Sequence, residues 1–402
     1  MKKVALICTK CKKTFPIDQL YLRCDVCGEP VEVEKVTKGK INKNDILNQT
    51  ILERYADFFP FTEIDKSISL HEGFTPLISS PELASESNIK NLFLKNEAQN
   101  PTWSFKDRGT LTGIQHAISL GYERIGVLST GNMAASLAAY GKRAGLKTFI
   151  LVSSSIPSEK LNPIAIYNPI LIKVDVDYGT LYYNSLKIGK QHKIYFINSD
   201  AAFRIEGYKT ISYEICEQLH FDAPDYVVFP TSSGGGIRGF IKGFEEFRLC
   251  GLIDKMPKII SVQAIGCAPI YKAYISNAEV VSRVKNPNTI AHAIENPYPP
   301  SGNALLRKIR ELGGTVVAVT DEEITQAQSQ LLKNGIFAQP AAATPLAAVT
   351  KLSRENFFNE NDTVVCTVTS SGFKDTSVFD RLDLEILESK SEDLSDLIRS
   401  RL

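Results

Sequence analysis

The chain has 402 residues, enough for two or three domains around a large buried core. Its hydrophobic content of 43% is that of a globular protein, and a formal net charge of +1 gives no overall field favouring nucleic acid or an anionic membrane. No apolar run reaches the length of a membrane span, and the apolar part of Met1-Lys-Lys-Val-Ala-Leu-Ile-Cys8 is too short for a signal peptide, so a cytoplasmic protein is expected.

Eight cysteines fall into two groups. Cys216, Cys250, Cys267 and Cys366 are isolated among apolar neighbours and read as reduced thiols. Cys8-x-x-Cys11 and Cys24-x-x-Cys27 are separated by twelve residues, the spacing of a zinc ribbon. Two such knuckles bring four thiolates to one ion, and a closed four-cysteine shell makes that zinc structural. A cytoplasmic setting disfavours disulfides between them. Residues 35–68 are charged and mixed and read as a linker with a short helix, followed by the turn Ser69-Leu-His-Glu-Gly-Phe-Thr-Pro-Leu77.

Asn91-Leu-Phe-Leu-Lys95 is a short apolar strand leading into Asn100-Pro-Thr-Trp-Ser-Phe-Lys106-Asp-Arg-Gly-Thr110. Asn100-Pro101 is a turn signal, and Thr102 or Ser104 is placed to cap the following helix. Lys106 would lie in its first turn, where the positive end of the helix dipole lowers the amine pKa and suits covalent chemistry with a carbonyl. The bland alternative is a solvated lysine on a capped helix. Arg124-Ile-Gly-Val-Leu128 is a buried strand ending at Ser129-Thr-Gly-Asn132, before the alanine-rich helix from Met133 to Ala144. That places a polar turn at the carboxyl end of a strand, where α/β sheets bind ligands. Lys147–Val152, Pro169–Val174 and Lys193–Ile197 continue the alternation, which implies a parallel, doubly wound sheet.

The segment Asn198-Ser-Asp-Ala-Ala-Phe-Arg204 leads into another helix. Tyr226-Val-Val-Phe229 is a strand, and Pro230-Thr-Ser-Ser-Gly-Gly-Gly-Ile237 opens the helix from Arg238 to Arg248. Gly234, Gly235 and Gly236 would expose amide groups to an anion, with hydroxyls at Ser232 and Ser233 beside them, although turns also use glycine. Strands follow at Lys258–Gln263, after Gly314, and at Thr363–Thr369; Thr320 with Glu323 forms a capping box. The tail from Leu382 reads as an acidic, then basic helix.

Asn-Pro-Thr-x-Ser-Phe-Lys-Asp-Arg-Gly, Glu72-Gly-x-Thr-Pro-Leu77, Ser129-Thr-Gly-Asn132, the glycine loop and Thr369 occur in the order of the threonine synthase family, and the chain resembles that family from the ribbon to Asp375. These are tryptophan-synthase-β-like enzymes that use pyridoxal 5'-phosphate. The resemblance implies an α/β fold of two doubly wound parallel-sheet domains plus a small N-terminal zinc ribbon. It divides the chain into a ribbon at 1–34, a large cofactor-binding domain at 35–100 and 203–380, a small domain at 101–202 and a helical tail at 381–402. It gives Lys106 the cofactor and the catalytic proton, Asn132 the ring hydroxyl, residues 232–236 the cofactor phosphate and Thr369 the pyridine nitrogen. Ser129, Thr130, Asn198, Ser199 and Arg204 would bind substrate, the last three its phosphate; Tyr178 would help wall the site.

The implied reaction takes O-phospho-L-homoserine and water to L-threonine and phosphate, in a homodimer that binds a small phosphorylated amino acid, not nucleic acid or membrane. The departures are Trp103 for the family glycine, Gln339 and Ala341 where a glutamate and a serine are usual, and Ser370-Ser371 for Gly-His. They leave open a β-replacement enzyme acting on O-phosphoserine, as cysteate synthase does, or a non-catalytic cofactor-binding homologue. Trp103, three residues before Lys106, is expected either beside the cofactor or as an anchor buried in a core.

Overall fold

A computed structural model describes residues 2, 4–42, 48–154, 161–176, 178–375 and 386–401. Strands β1 (Ala5–Cys8), β2 (Thr14–Pro16) and β3 (Val31–Val33) form an antiparallel ribbon in the order β2-β1-β3. Alternation along them buries Leu6, Cys8, Phe15, Val31 and Val33 on one face.

The described parts of residues 35–68, expected to be a linker with a short helix, contain that helix but pack against the core where a free linker was expected. A short helix, Ile51–Arg54, is closed by a capping box between Thr50 and Glu53, and Ile51, Tyr55, Phe58 and Phe59 are buried. The charged composition concealed this because the apolar residues lack a clear period. The anchor is a buried quartet of Glu206, Lys209, Lys242 and Glu246. Lys242 Nζ donates to Val33 O, Lys209 Nζ donates to Phe58 O at 2.5 Å, and Glu246 accepts from Val36 N–H at 3.1 Å.

β4 (Leu77–Ser79) and β5 (Asn91–Asn96) then begin a six-stranded sheet. The chain leaves it for a four-stranded parallel sheet of β6 (Arg124–Leu128), β7 (Lys147–Ser153), β8 (Ile170–Val174) and β9 (Tyr195–Phe196), ordered β8-β7-β6-β9. It returns with β10 (Tyr226–Pro230), β11 (Lys258–Ala264), β12 (Thr315–Val319) and β13 (Thr363–Val368), giving the order β12-β11-β10-β13-β5-β4. Within this six-stranded sheet, among the described residues, the β4–β5 pair is antiparallel and the other pairs are parallel. β10, covered on both faces, is buried at every position, as parallel strands under helices are.

The helix Ala202–Gln218 is buried through Cys216 and packs against the helices Lys106–Ser119 and Gly235–Leu249. The helix Pro340–Arg354 lies against β10–β13 through small residues such as Ala342, Ala343 and Ala348. The expected strands and the Thr320–Glu323 capping box are present. The expected tail, 381–402, lies partly outside the described residues; beyond Glu385 it holds one exposed helix, Leu394–Arg399. Among the described residues, no helix is long and apolar enough to cross a membrane.

Candidate active site

Two connected cavities open between the carboxyl ends of the two sheets. The inner one, about 60 Å³, is lined by Lys106, Asn132, the 232–236 loop, Arg204 and Thr369. The outer one, about 340 Å³, shares Lys106, Asn132 and Arg204 and adds Ser129, Thr130 and the segment from His292 to Pro297.

Lys106 is the first residue of the helix Lys106–Ser119. Capping differs from expectation. Phe105 is the N-cap, Ser104 Oγ accepts the Lys106 N–H at 3.3 Å, and Thr102 is occupied elsewhere. Its hydroxyl and amide both donate to Asp107, at 2.5 and 2.7 Å, closing the loop before the lysine. The Lys106 amine stands 3.9 Å from the Phe105 ring centroid, without a hydrogen-bond or ion-pair partner among the described residues. Burial drives its pKa well below the ordinary lysine value, and the positive charges of Arg204 and Lys374 push the same way. Lys374, whose Nζ donates to Thr102 O at 2.7 Å, is itself lowered to about 8 by burial, against the opposing charge of Asp107.

The glycine loop follows β10 directly. Gly234 has φ +87°, a conformation that side chains resist, and Gly235 begins the helix to Leu249. A Cβ at Gly235 would lie 2.0 Å from Ser199 O, so the loop at 198–200 abuts this turn closely enough to require glycine. Asn296 Nδ2 donates to Ser233 Oγ at 2.8 Å, and Ser301 N–H donates to Ser233 O at 3.0 Å. Exposed amides at a helix start, with hydroxyls beside them, suit a phosphate.

Near this turn, Arg204 donates to Tyr208 Oη at 2.6 Å and Ile197 O at 3.3 Å, which fixes its guanidinium at the wall of both cavities. Beside it, Ser199 Oγ is buried with no hydrogen-bond partner among the described residues. A buried hydroxyl without a partner is costly, and this one lies in the wall of the arginine-lined cavities. The turn after β6 contributes Ser129, Thr130 and Asn132, the last being the first residue of the helix to Arg143, one earlier than its sequence suggests. Asn132 Nδ2 donates to Gln339 Oε1 at 2.9 Å.

Asn198 is not brought to the cavities. Its amide oxygen accepts from Leu128 N–H at 3.2 Å and its nitrogen donates to Ser185 Oγ at 3.0 Å, so it ties the loop to β6. Tyr178 opens a helix, Tyr178–His192, but its side chain lies outside the described residues. Trp103 is neither beside the cavity nor buried. It is 53% exposed, 6.4 Å from the Phe373 ring, with φ +59°. That left-handed backbone is the reason a glycine suits the position. Ser370 Oγ and Ser371 N–H both donate to Trp103 O, at 2.8 and 3.1 Å, so this pair holds the turn and does not line the cavities. Of the departures, Ala341 lines the inner cavity and Gln339 reaches it through Asn132. Sequence reasoning missed Lys374 and the apolar walls Phe105 and Phe229; the first lies next to Asp375 in the last loop, which alone offers no signal.

In the ribbon, the four sulfurs of Cys8, Cys11, Cys24 and Cys27 lie within 4.8 Å of one another. The Cys8–Cys27 and Cys11–Cys24 separations are 3.3 and 3.6 Å, too long for disulfides and close to the roughly 3.8 Å expected around a tetrahedral zinc with Zn–S near 2.3 Å. Each knuckle ends in a left-handed residue, Lys12 and Gly28.

A buried lysine amine whose pKa is pushed down, beside a glycine-rich helix start and an arginine at the carboxyl ends of parallel strands, suits covalent chemistry with a carbonyl cofactor. Residues 68–370 match the family described as "Pyridoxal-phosphate dependent enzyme". The chain is 39% identical over 378 residues to a threonine synthase of Methanocaldococcus jannaschii, with 92% of each covered. It is 34% identical over 374 residues to one of Methanosarcina acetivorans, again with 92% of each covered. Among solved structures, maize serine racemase has a TM-score of 0.66 at 21% identity, covering 76% of this chain and 91% of its own, a likeness of fold alone. The chain belongs to the threonine synthase family of pyridoxal-phosphate-dependent enzymes.

Proposed function

We propose that the chain converts O-phospho-L-homoserine and water to L-threonine and phosphate, with Lys106 as cofactor anchor and catalytic base. The observation that supports this most is that the glycine loop, and Ser199 with Arg204, line the cavities that the Lys106 amine enters. Pyridoxal phosphate, when bound, supplies an electron-poor ring that stabilises negative charge at the substrate α-carbon. The 232–236 loop holds its phosphate, Asn132 meets the ring hydroxyl, and Thr369 offers the ring nitrogen a hydroxyl. Gln339 orients Asn132 through their hydrogen bond. Ser129 and Thr130 bind the amino-acid end of the substrate, and Ser199 and Arg204 bind the leaving phosphate. Asn198 supports that loop without touching substrate. In turnover Lys106 Nζ takes the α-proton, and burial together with the charges of Arg204 and Lys374 favours the unprotonated amine that this requires.

The same reading gives Cys8, Cys11, Cys24 and Cys27 one structural zinc, and makes the enzyme a cytoplasmic homodimer. Action on O-phosphoserine loses ground because Trp103, Ser370 and Ser371 stand away from the cavities. The test is incubation with phosphohomoserine and, separately, phosphoserine, with release of phosphate and the amino-acid product measured. Threonine from the first substrate alone is expected, and borohydride should fix the cofactor on Lys106. Turnover of phosphoserine alone, or label on another lysine, would overturn the assignment.

A further inference from the structure

The cysteine ribbon reaches the loops around the site most directly through Arg23. Arg23 immediately precedes Cys24 and donates in four directions. Nε donates to Gly28 O, in its own knuckle, at 2.5 Å. Nη1 donates to the carboxylate of Asp200, and to Tyr182 Oη at 3.2 Å; Nη2 donates to Pro300 O at 3.3 Å. Tyr182 Oη also donates to Asp200 Oδ2 at 2.5 Å, and both residues are 2% exposed. Asp200 follows Ser199, the buried hydroxyl without a partner. Pro300 precedes Ser301, whose N–H holds Ser233 O and whose hydroxyl accepts from Arg238. One guanidinium therefore clamps the loop that carries Ser199 and the strut beneath the glycine loop, while its own backbone is fixed by a cysteine knuckle.

We propose that Arg23 is a positioning residue that sets the substrate-phosphate site, by holding Asp200 and so the Ser199 loop against Gly235. This rests on the reading of Ser199 and Arg204 as the substrate-phosphate site. Among the described residues, Asp200 without Arg23 keeps the Tyr182 hydroxyl alone, and a buried carboxylate left with a neutral partner draws water or moves. Movement of the adjacent Ser199 by even an ångström is enough to lose a phosphate contact. The closed four-sulfur shell does no chemistry, but it supplies the rigid base from which Arg23 reaches.

Arg23→Met, Arg23→Lys, Asp200→Asn and the Arg23→Met/Asp200→Asn pair are compared with wild type as holoenzymes. Zinc content, thermal unfolding and the Lys106-linked cofactor absorbance are recorded with kcat and KM for O-phospho-L-homoserine. Dissociation constants for inorganic phosphate and L-threonine are read from the cofactor spectrum. The expected result for Arg23→Met is a KM and a phosphate dissociation constant raised about tenfold or more, by the logic of a misplaced contact. Zinc, cofactor absorbance and threonine binding should be unchanged, and kcat should fall far less. Arg23→Lys should recover part of the loss, and the double variant should be little worse than either single one. Phosphate and substrate binding equal to wild type in Arg23→Met would overturn the proposal, as would equal weakening of threonine and phosphate, or additive effects in the pair. If Arg23→Met does not fold, Arg23→Lys and Asp200→Asn carry the same comparison. A wild type whose spectrum ignores both phosphorylated substrates and phosphate would instead remove the underlying phosphate reading, and this proposal with it.

Discussion

Trp103 illustrates how much a single backbone angle decides. An indole three residues from the functional lysine invites a role in specificity, yet φ +59° turns it outward, beside Phe373 and 53% exposed. Its carbonyl, held by Ser370 and Ser371, fixes the turn before Lys106. Left-handed geometry costs an ordinary residue about 1–2 kcal/mol, while a glycine there loses up to about 1 kcal/mol more backbone entropy on folding. Trp103→Gly should therefore change stability by no more than about 1 kcal/mol and leave substrate preference as it was. The tryptophan emission should have a solvent-exposed maximum and be open to quenching by acrylamide with or without substrate. A shielded indole, or a shift in preference between phosphohomoserine and phosphoserine, would return Trp103 to the pocket.

At the level of elements, the helix Lys106–Ser119 is held by buried polar groups as well as by apolar packing. Arg108 is fully buried and forms ion pairs with Glu97 and Glu214, and Glu214 also meets Lys95. Burial pulls the Glu214 carboxyl upward, but the two cations win and hold it at about 2. Further along, His116 stacks on Phe203 at 3.4 Å and shares a hydrogen bond with Tyr195 Oη at 2.8 Å. Its Nε2 meets Ile17 O of the ribbon at 3.3 Å. Burial lowers the His116 pKa to about 3, so the folded state binds fewer protons than the unfolded chain between that value and the ordinary 6.5. Its contribution to stability is present above pH 6.5 and is lost as the pH falls through that window. The loss amounts to about 2 kcal/mol between pH 7.5 and 5 by linkage. Urea unfolding at both pH values should register it, and His116→Asn, whatever its starting stability, should flatten the difference. An undiminished pH dependence in that variant would place the proton elsewhere.

Across the whole molecule, the ribbon is docked into the enzyme and does not hang from a linker. Glu29 pairs with Arg307 at 2.8 Å, Glu32 pairs with Arg238 at 2.7 Å, and Ile17 O faces His116. Metal loss should therefore reach the active site despite the closed shell. Metal analysis is expected to give one zinc per chain. A chelated protein, or a Cys8→Ser/Cys27→Ser variant, should keep the cofactor absorbance, because no ribbon residue lines either cavity. It should melt earlier and bind phosphate as weakly as Arg23→Met. Zinc-free native protein, or chelation without any change in phosphate binding, would contradict that coupling.

The sequence by itself determined the parallel α/β character, the four-cysteine cluster and the lysine, glycine-loop and Ser-Thr-Gly-Asn turns, because each rests on local chemistry. Strand runs, knuckle spacing and helix starts are written within a few residues. Only the tertiary structure decided which side chains meet. Asn198 looks like a ligand residue in its motif but spends both amide groups on Leu128 and Ser185. Lys374 comes to Thr102 from the far end of the chain. The residues read as a linker became core because Lys209 and Glu246, more than a hundred and fifty positions later, bind the Phe58 carbonyl and the Val36 amide. Such contacts join segments remote in sequence, and their partners are chosen by burial, which makes an unpaired charge or carbonyl costly wherever the fold places it.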